Sequence, residues 1–260
     1  MTVDGFEESS FAHQGTEHAV YRRGSGPGVI VIHEIPGITP EVARFARIVA
    51  DEGFTVAMPS MFGTVGRPKT TGYALAQIAR ACVSREFRVL AARGASPLTE
   101  WLRALARSLH GELGGRGVGA VGMCITGNFA LAMAVDAAMM APVLSQPSLP
   151  FPIGRERRRG LHVSGEALAI VGERCAKQDL RVLGLRFTAD GTVPAERFER
   201  LRAELGAAFE AIEIDSSPGN AHGIGARAHS VLTADLVLRE GHPTERALQR
   251  VLSFLSEQLR

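Results

Sequence analysis

The chain has 260 residues, of which 45% are hydrophobic and 22% are charged, and this composition is sufficient to bury one large core. Its 29 basic and 27 acidic residues leave a formal net charge of +2, without a long basic stripe, so nucleic acid is not an expected partner. No apolar run reaches the roughly 20 residues of a membrane helix, and the acidic start differs from a signal peptide. We therefore expect a single cytoplasmic domain over residues 1–260 with no membrane partner.

The chain contains three cysteines, Cys82, Cys124 and Cys175, and no two of them are closely spaced. This spacing predicts neither a disulfide framework nor a Cys-x-x-Cys site for zinc or redox chemistry. Any special chemistry of a cysteine in this chain must therefore come from one thiol and its neighbours.

The first predicted elements are a strand, a helix and a second strand. Residues 28–33 form a short β-branched run, which is typical of a strand that is buried on both faces. In the helix that follows, Thr39 is the expected N-cap, and Pro40 and Glu41 occupy the first turn. A second strand is predicted over residues 54–58. The order strand, helix, strand predicts a parallel α/β sheet.

The same alternation continues to the end of the chain. The later elements are a helix through Trp101 and Leu105, a strand at 118–121, a helix after Gly127, a strand at 182–187, a helix through Phe198 and Leu205, a strand at 211–214, and a closing helix through Leu248 and Leu255. We expect an α/β fold with a mostly parallel sheet of six to eight strands and helices on both faces. Residues 1–20 are interpreted as an N-terminal extension, residues 62–96 as a cap segment, and residues 145–160 as an exposed loop.

The most informative motif is the run GMCITG at residues 122–127, where a predicted strand meets a predicted helix. In a Gly-x-nucleophile-x-Gly elbow, small residues flank a strained turn that exposes the nucleophile. Cys124 occupies the nucleophile position, and a helix N-terminus would favour the negative charge of its thiolate. Thr126 stands where the second glycine is usual. The alternative interpretation of Cys124 is a small buried apolar residue.

A cysteine nucleophile needs a histidine to hold its proton and an acid to orient that histidine. After such an elbow the expected chain order is nucleophile, acid, histidine. Asp190 follows a predicted strand, at the edge where open α/β sheets place their active sites; a turn or capping aspartate is the alternative. His222 and His229 both follow the last predicted strand. The distance from Asp190 favours His229, and His222 remains the alternative base.

Three blocks of sequence together resemble the dienelactone hydrolase family, from about residue 28 to the C-terminus. The blocks are HEIPGI at 33–38 with GFTVAMP at 53–59, the elbow at Cys124, and the pair DGTVP at 190–194 and HS at 229–230. The resemblance implies an α/β-hydrolase fold and a carboxylic ester hydrolase similar to carboxymethylenebutenolidase. The substrate would be a small ester or lactone.

The resemblance also assigns roles to individual residues. Cys124 would attack the carbonyl carbon, and His229, oriented by Asp190, would hold the proton and then activate water. The backbone N–H groups of Ile35 and Ile125 would form the oxyanion hole. This mechanism requires no metal ion and no organic cofactor.

Two further residues bear on proton transfer and on the substrate. Glu34 matches a family glutamate that contacts the resting cysteine, and a loop-anchoring acceptor is its alternative role. In the family an arginine shortly after the catalytic histidine helps to bind a substrate carboxylate, but residues 230–233 read SVLT here. Arg85 in the cap segment matches a second family arginine and would contact the substrate. Small esters and thioesters therefore stand beside lactones as expected substrates.

Other classes of function remain open at this stage. One is a binding or scaffold protein that keeps the fold without turnover. Another is a thiol redox sensor in which Cys124 is oxidised reversibly. A peptidase or acyl transferase would use the same three residues as an esterase. The natural substrate and the oligomeric state are not determined by the sequence.

Overall fold

A computed structural model describes residues 3–83 and 97–260 of the chain. The strands are β1 (Glu7–His13), β2 (Thr16–Arg23), β3 (Gly28–Ile32), β4 (Thr55–Pro59), β5 (Val118–Met123), β6 (Met139–Ser145), β7 (Val182–Phe187) and β8 (Phe209–Ile214). The helices are α1 (Pro40–Asp51), α2 (Thr71–Val83), α3 (Pro97–Leu113), α4 (Gly127–Met133), α5 (Arg155–Arg158), α6 (Gly165–Lys177), α7 (Ala195–Leu205) and α8 (Pro243–Leu259). Within these two described stretches, no helix is both long and apolar enough to span a bilayer.

The eight strands form one sheet in the order β1-β2-β4-β3-β5-β6-β7-β8. Strands β1 and β2 form an antiparallel hairpin, and β2 also pairs antiparallel with β4. The other five pairings, from β4 through β3 to β8, are parallel. The predicted α/β fold with a mostly parallel sheet is therefore confirmed.

Helices cover both faces of the sheet and create two hydrophobic cores. On one face α1 and α8 contribute Phe45 and Phe254, which are fully buried. On the other face α3 and α7 contribute Trp101 and Phe198, also fully buried, and α4 and α6 pack beside them. Because both faces are covered, every residue of β3 is buried. This explains why that strand is continuously apolar rather than alternating.

The helix after β3 begins as its sequence predicts. The Thr39 side chain accepts a hydrogen bond from the Val42 N–H at 3.4 Å, and Pro40 is the first helical residue. This cap starts α1 immediately after the loop at residues 33–38, so the loop is held between β3 and a rigid helix.

Three strands and one buried loop were not predicted. Strand β6 contains Pro142, which lacks a backbone N–H and argues against a central strand. Its register with β5 shifts between Met139 and Ala141, as in a β-bulge, and Pro142 then pairs with Ala120. Strands β1 and β2 lie largely within the segment interpreted as an N-terminal extension. Residues 146–148 are buried, so the prediction of an exposed loop over 145–160 is wrong for that part.

The loop after β6 is held in place by a buried arginine. Arg197 of α7 is 0% exposed, and its guanidinium donates to the carbonyl oxygens of Gly160 at 2.8 Å, Pro150 at 2.6 Å and Pro147. Burial lowers the pKa of Arg197 to about 10, so the group keeps its charge at neutral pH. One side chain on α7 thus fixes the path of residues 147–150, next to the carboxyl end of β5.

Replacing Arg197 with methionine should therefore lower the free energy of unfolding by roughly 3 kcal/mol or more, because several buried carbonyl groups lose their donor at once. Arg200 of the same helix pairs with Glu204 at 3.2 Å on the surface, and Arg200→Met should cost less than about 0.5 kcal/mol. Urea unfolding of both variants measures the difference. Equal losses in the two variants would contradict the role assigned to Arg197.

Candidate active site

The turn after β5 places Cys124 in a backbone conformation that few residues adopt. Its φ angle is +56°, which costs about 1–3 kcal/mol for a residue with a side chain. Two glycines make the turn sterically feasible. A Cβ on Gly122 would lie 2.4 Å from the Thr126 carbonyl oxygen, and one on Gly127 would lie 2.6 Å from Pro147 Cα. The second close-packed glycine of the elbow is therefore at position 127.

Thr126, the departure from the usual elbow pattern, is fully buried and bonded on several sides. Its hydroxyl accepts from the Met123 N–H at 3.0 Å. It also lies 2.8 Å from the Met123 carbonyl oxygen, 3.0 Å from that of Ile32 and 3.2 Å from that of His33, and its single proton can be donated to one of them at a time. Because Ile32 ends β3 and His33 follows it, this hydroxyl ties the elbow to the neighbouring strand.

Asp190 and His229 are brought together at the same edge of the sheet. Asp190 follows β7, and its Oδ2 lies 2.6 Å from Nδ1 of His229. Thr192 donates to the other carboxylate oxygen, through its backbone N–H at 2.9 Å and its hydroxyl at 2.7 Å. Since Nδ1 faces Asp190, Nε2 is the imidazole nitrogen left for the hydrogen bond that His229 makes with Cys124.

His222, the alternative base, lies away from this pair. It is exposed, its ring packs against His242 with 5.7 Å between centroids, and its backbone N–H donates to Asn220. The structure therefore places His229, rather than His222, against Asp190.

Asp190 and His229 each shift the pKa of the other towards the charged form. Burial by itself would lower the pKa of His229, but the hydrogen bonds to Asp190 and Cys124 outweigh it and raise that pKa to about 11. Burial would likewise raise the pKa of Asp190, but hydrogen bonds from His229 and Thr192 hold it below its usual range. A proton transferred from the thiol to His229 would thus be retained there at neutral pH.

Glu34 enters the site from the end of β3 and is 4% exposed. Its Oε2 accepts from the Ser230 hydroxyl at 2.8 Å and from the Gln146 side-chain amide at 3.3 Å, and its Oε1 accepts from the Thr233 hydroxyl. All three donors are uncharged. Thr233 is part of the segment where the sequence lacks an arginine, and it contacts Glu34 instead.

Glu34, Cys124 and His229 form a compact group. One oxygen, sulfur or nitrogen atom from each lies within 4.8 Å of the other two.

Asp235 anchors the loop that carries the histidine, because its Oδ2 accepts from the backbone N–H groups of His229 at 2.9 Å and Ser230 at 2.8 Å. The loop that carries His229 is therefore anchored through both its backbone and the Glu34 carboxylate.

Ser148, which was not predicted from the sequence, also contacts the cysteine. Its backbone N–H donates to the Cys124 carbonyl oxygen at 2.9 Å, and its hydroxyl lies 3.5 Å from the sulfur and 3.1 Å from the Gln146 carbonyl oxygen. Nothing in the sequence marks this serine, because it follows an unpredicted strand. Thr192 and Asp235 were not predicted either, although their partners Asp190 and His229 lie only two and six residues away in the chain.

The two predicted oxyanion-hole residues are buried, Ile35 after β3 and Ile125 beside the cysteine. Ile125 belongs to the 3-10 turn Cys124–Thr126, and backbone N–H groups in a first helical turn have no partner within the helix. Arg85, predicted to contact the substrate, lies outside the described residues, as does the part of the cap segment from residue 84 to residue 96.

A second histidine beside the site is held neutral. Since the Met61 N–H donates to Nε2 of His33 at 3.1 Å, the proton is on Nδ1, which donates to the Glu34 carbonyl oxygen at 3.1 Å. Complete burial lowers the pKa of His33 to about 4. His33 thus joins the backbone of Glu34 to the loop after β4 at Met61 without adding charge to the site.

An eight-stranded sheet in this order, with a strand-to-helix elbow after β5 and an Asp–His pair following later strands, defines an α/β-hydrolase fold. The sequence model of the dienelactone hydrolase family matches residues 16–259, and the chain belongs to this family. The resemblance predicted from the three sequence blocks is confirmed.

Solved structures share the whole fold at low sequence identity. A putative dienelactone hydrolase from Klebsiella pneumoniae subsp. pneumoniae superposes with a TM-score of 0.62 at 21% identity, covering 97% of this chain and 98% of that one. The dienelactone hydrolase-like promiscuous phosphotriesterase P91 from metagenomic libraries gives 0.62 at 17% identity, with 98% of each chain covered. Est1E from Butyrivibrio proteoclasticus gives 0.54 at 14% identity, covering 96% and 98%. A comparison with curated protein sequences gave no match.

Removal of the Thr126 hydroxyl tests its part in the elbow. Thr126→Val keeps the shape of the side chain but leaves the Met123 N–H without an acceptor, so the free energy of unfolding should fall by roughly 2 kcal/mol. Thr126→Ser, which keeps the hydroxyl, should recover most of that loss. Urea unfolding gives both values. A valine variant as stable as the serine variant would show that the hydroxyl is dispensable.

His33 should make the fold acid-sensitive. Because its pKa is about 4 in the folded chain and about 6.5 when unfolded, the unfolded state binds the proton first as the pH falls from 6.5 to 4. The free energy of unfolding should therefore fall across this window, by about 3 kcal/mol from this residue alone.

His33→Gln should flatten that dependence, since the glutamine amide can donate to and accept from the same backbone groups without titrating. Unfolding curves at several pH values between 4 and 7 measure it. His162, whose pKa burial also lowers to about 4, is present in both proteins and contributes equally. Parallel stability curves for the two proteins would rule out the contribution of His33.

Proposed function

We propose that this protein is a cysteine-dependent hydrolase of a small ester or lactone, working through an acyl-enzyme on Cys124. The observation that carries the proposal is the chain of contacts from Asp190 to His229 and from His229 to the thiol, at an elbow that faces the carboxyl edge of the sheet. Membership of the dienelactone hydrolase family makes hydrolysis the expected reaction class.

In the acylation step the Cys124 sulfur donates an electron pair to the carbonyl carbon, and the carbonyl oxygen becomes an oxyanion. The proton of the thiol is held by His229. When the tetrahedral intermediate collapses, the C–O bond to the alcohol breaks and His229 gives that proton to the leaving oxygen. In a lactone the alcohol stays attached through the ring.

In the deacylation step His229 removes a proton from water, and the resulting hydroxide attacks the thioester carbon. Cleavage of the C–S bond returns the electron pair to sulfur and releases the carboxylic acid. Asp190 holds the imidazole by its Nδ1 throughout, so that Nε2 points at the reacting atoms. The raised pKa of His229 suits a group that must carry the proton between these steps.

The oxyanion would be stabilised by the backbone N–H groups of Ile35 and Ile125. Both residues lie in turns that their neighbours hold firmly: Gly37 N–H donates to the Glu34 carbonyl oxygen at 2.8 Å, and Thr126 fixes the elbow. Donors that are already in position need no reorganisation as charge develops, and each is worth roughly 3 kcal/mol in comparable enzymes.

Ser148 and Glu34 would adjust the state of the sulfur. The Ser148 hydroxyl lies between the Cys124 sulfur and the Gln146 carbonyl oxygen, so it can donate to the sulfur when a thiolate forms and to the carbonyl group otherwise. Glu34 lies within 4.8 Å of the same sulfur and would accept or return a proton there in the resting enzyme.

The substrate is expected to be small and is not required to carry a carboxylate. Thr233 lies in the segment without the family arginine and binds Glu34 through its hydroxyl. The side chains that donate to Glu34 are neutral. Among the residues that the structure describes, these donors therefore supply no positive charge for an anionic substrate. Neutral esters, lactones and thioesters fit this environment.

Hydrolysis of short-chain p-nitrophenyl esters tests the proposal directly. The purified protein should turn over the ester, while Cys124→Ala and His229→Ala should lose at least about 1,000-fold in kcat, because neither half of the nucleophile–base pair works alone. Asp190→Asn should lower kcat by a larger factor than it changes KM, since Asp190 orients the base rather than the substrate. Release of p-nitrophenol measures all four proteins.

His222→Ala is the matched control, because that histidine lies away from Asp190 and should leave kcat unchanged. Iodoacetamide labelling mapped by mass spectrometry should fall mainly on Cys124 in the wild type. Full activity of Cys124→Ala would exclude the thiol mechanism. A folded wild type with neither turnover nor selective labelling would favour a binding protein, and a thiol that peroxide oxidises reversibly without turnover would favour a redox sensor.

A further inference from the structure

Glu34, Cys124 and His229 together offer ligand atoms for a metal ion, in addition to their proposed roles in hydrolysis. The group offers a thiol sulfur, an imidazole nitrogen and a carboxylate oxygen, all within 4.8 Å of one another. Thiolate, imidazole and carboxylate are the ligands that Zn²⁺ takes in proteins. Three protein ligands with a fourth position open to solvent form a common zinc arrangement.

We propose that this group binds a single Zn²⁺ ion and that the bound ion blocks hydrolysis by occupying the nucleophile and the base together. The inhibitory part of this inference rests on the proposed function, whereas the ion site rests on the geometry alone. Ligand atoms around tetrahedral zinc lie roughly 3.5 Å apart. A group already within 4.8 Å therefore needs only a small inward movement of its side chains.

The surrounding contacts orient two of the ligands as a zinc site requires. Asp190 accepts from Nδ1 of His229 at 2.6 Å, which leaves Nε2 for the metal; a carboxylate on the far nitrogen is the usual support of a zinc-bound histidine. Glu34 is held by Ser230, Gln146 and Thr233. These three bonds occupy three of the about four acceptor positions of a carboxylate, so one remains for the cation.

The charge balance of the group also favours a divalent cation. Whichever of Cys124 and His229 holds their shared proton, the carboxylates of Glu34 and Asp190 add negative charge, and the side chains that donate to Glu34 are neutral. The Arg197 guanidinium interacts electrostatically with Asp190, but it already donates to backbone carbonyl groups. A doubly charged ion would offset the remaining negative charge.

Binding is a competition with one proton. Before zinc enters, Cys124 and His229 share a single proton, either as thiol and imidazole or as thiolate and imidazolium. In the complex the sulfur is a thiolate and the imidazole is neutral, so one proton is released to solvent for each ion bound. No electron is transferred, and a chelator reverses the step.

The test is a calorimetric titration of the full-length protein with zinc chloride, run beside p-nitrophenyl ester hydrolysis in the same zinc concentrations. We expect one ion per chain, loss of hydrolysis at the same concentration that fills the site, and recovery with EDTA. Cys124→Ala should weaken binding at least about 100-fold, and Asp190→Asn by roughly 10- to 100-fold through the loss of support for His229. Cys175→Ala and Cys82→Ala should bind zinc as the wild type does.

Cobalt provides a second readout that does not depend on turnover. Titration with Co²⁺ should produce a near-ultraviolet thiolate-to-cobalt charge-transfer band in the wild type and in Cys175→Ala, and no such band in Cys124→Ala. Circular dichroism confirms that each variant is folded, and Glu34→Gln supplies an independent ligand variant if Cys124→Ala unfolds.

The outcomes separate this inference from the proposed function. Zinc binding that is unchanged in Cys124→Ala, or zinc that accelerates hydrolysis, overturns the inference and leaves the thiol hydrolase standing. One zinc per chain that requires Cys124 and His229, in a protein that hydrolyses no ester, supports the ion site while the proposed function fails. An enzyme that hydrolyses the ester but binds no zinc overturns the zinc site and leaves the proposed function standing.

Discussion

The turn at Cys124 is the constraint around which the site is organised. A residue with a side chain at φ +56° is costly, and it is stable here only because its surroundings leave no relaxed alternative. Gly122 and Gly127 allow backbone to approach backbone, and the Thr126 hydroxyl bridges the elbow to the end of β3. The strained conformation lifts the thiol out of the sheet towards the histidine, so the same contacts that hold the turn also direct the sulfur.

A network of buried hydrogen bonds joins loops that are far apart in the chain. The carboxylate of Glu34, at the end of β3, receives hydroxyl donors from the loop that carries His229 and an amide from the loop after β6. Asp235 and Arg197 anchor those two loops by binding backbone groups. Because each buried polar group depends on a partner from another loop, disturbing one loop would move several of the groups around the sulfur.

The pKa values of His33 and His229 are shifted in opposite directions by the contacts of the two side chains. Both are largely removed from solvent, which lowers the pKa of an imidazole. The hydrogen bonds of His33 go to backbone groups, and burial lowers its pKa, whereas the Asp190 carboxylate and the thiol beside His229 overcome burial and raise its pKa. The positive charge of this pair of histidines thus falls on His229, which is one of the three ligands that we infer to be able to hold zinc.

The sequence by itself determined the class of fold, and it predicted the elbow, Asp190 as the acid and His229 or His222 as the base. These features are local: apolar periodicity predicts strands and helices, and the pattern GMCITG marks a strand-to-helix turn within six residues. Strand β6 was not predicted, because Pro142 breaks the local pattern and only pairing with β5 compensates for it.

Only the tertiary structure decided which partners meet. It selected His229 over His222, explained Thr126 as a bridge between strands, and placed Ser148, Thr192 and Asp235 in the site. The selection of His229 and the contacts of Thr126 and Ser148 depend on groups that the parallel sheet brings to one edge from distant positions in the chain. Thr233 and Glu34, which are 199 positions apart, also meet there. Contacts of that kind leave no periodicity or spacing in the chain, since the register and order of the strands create them.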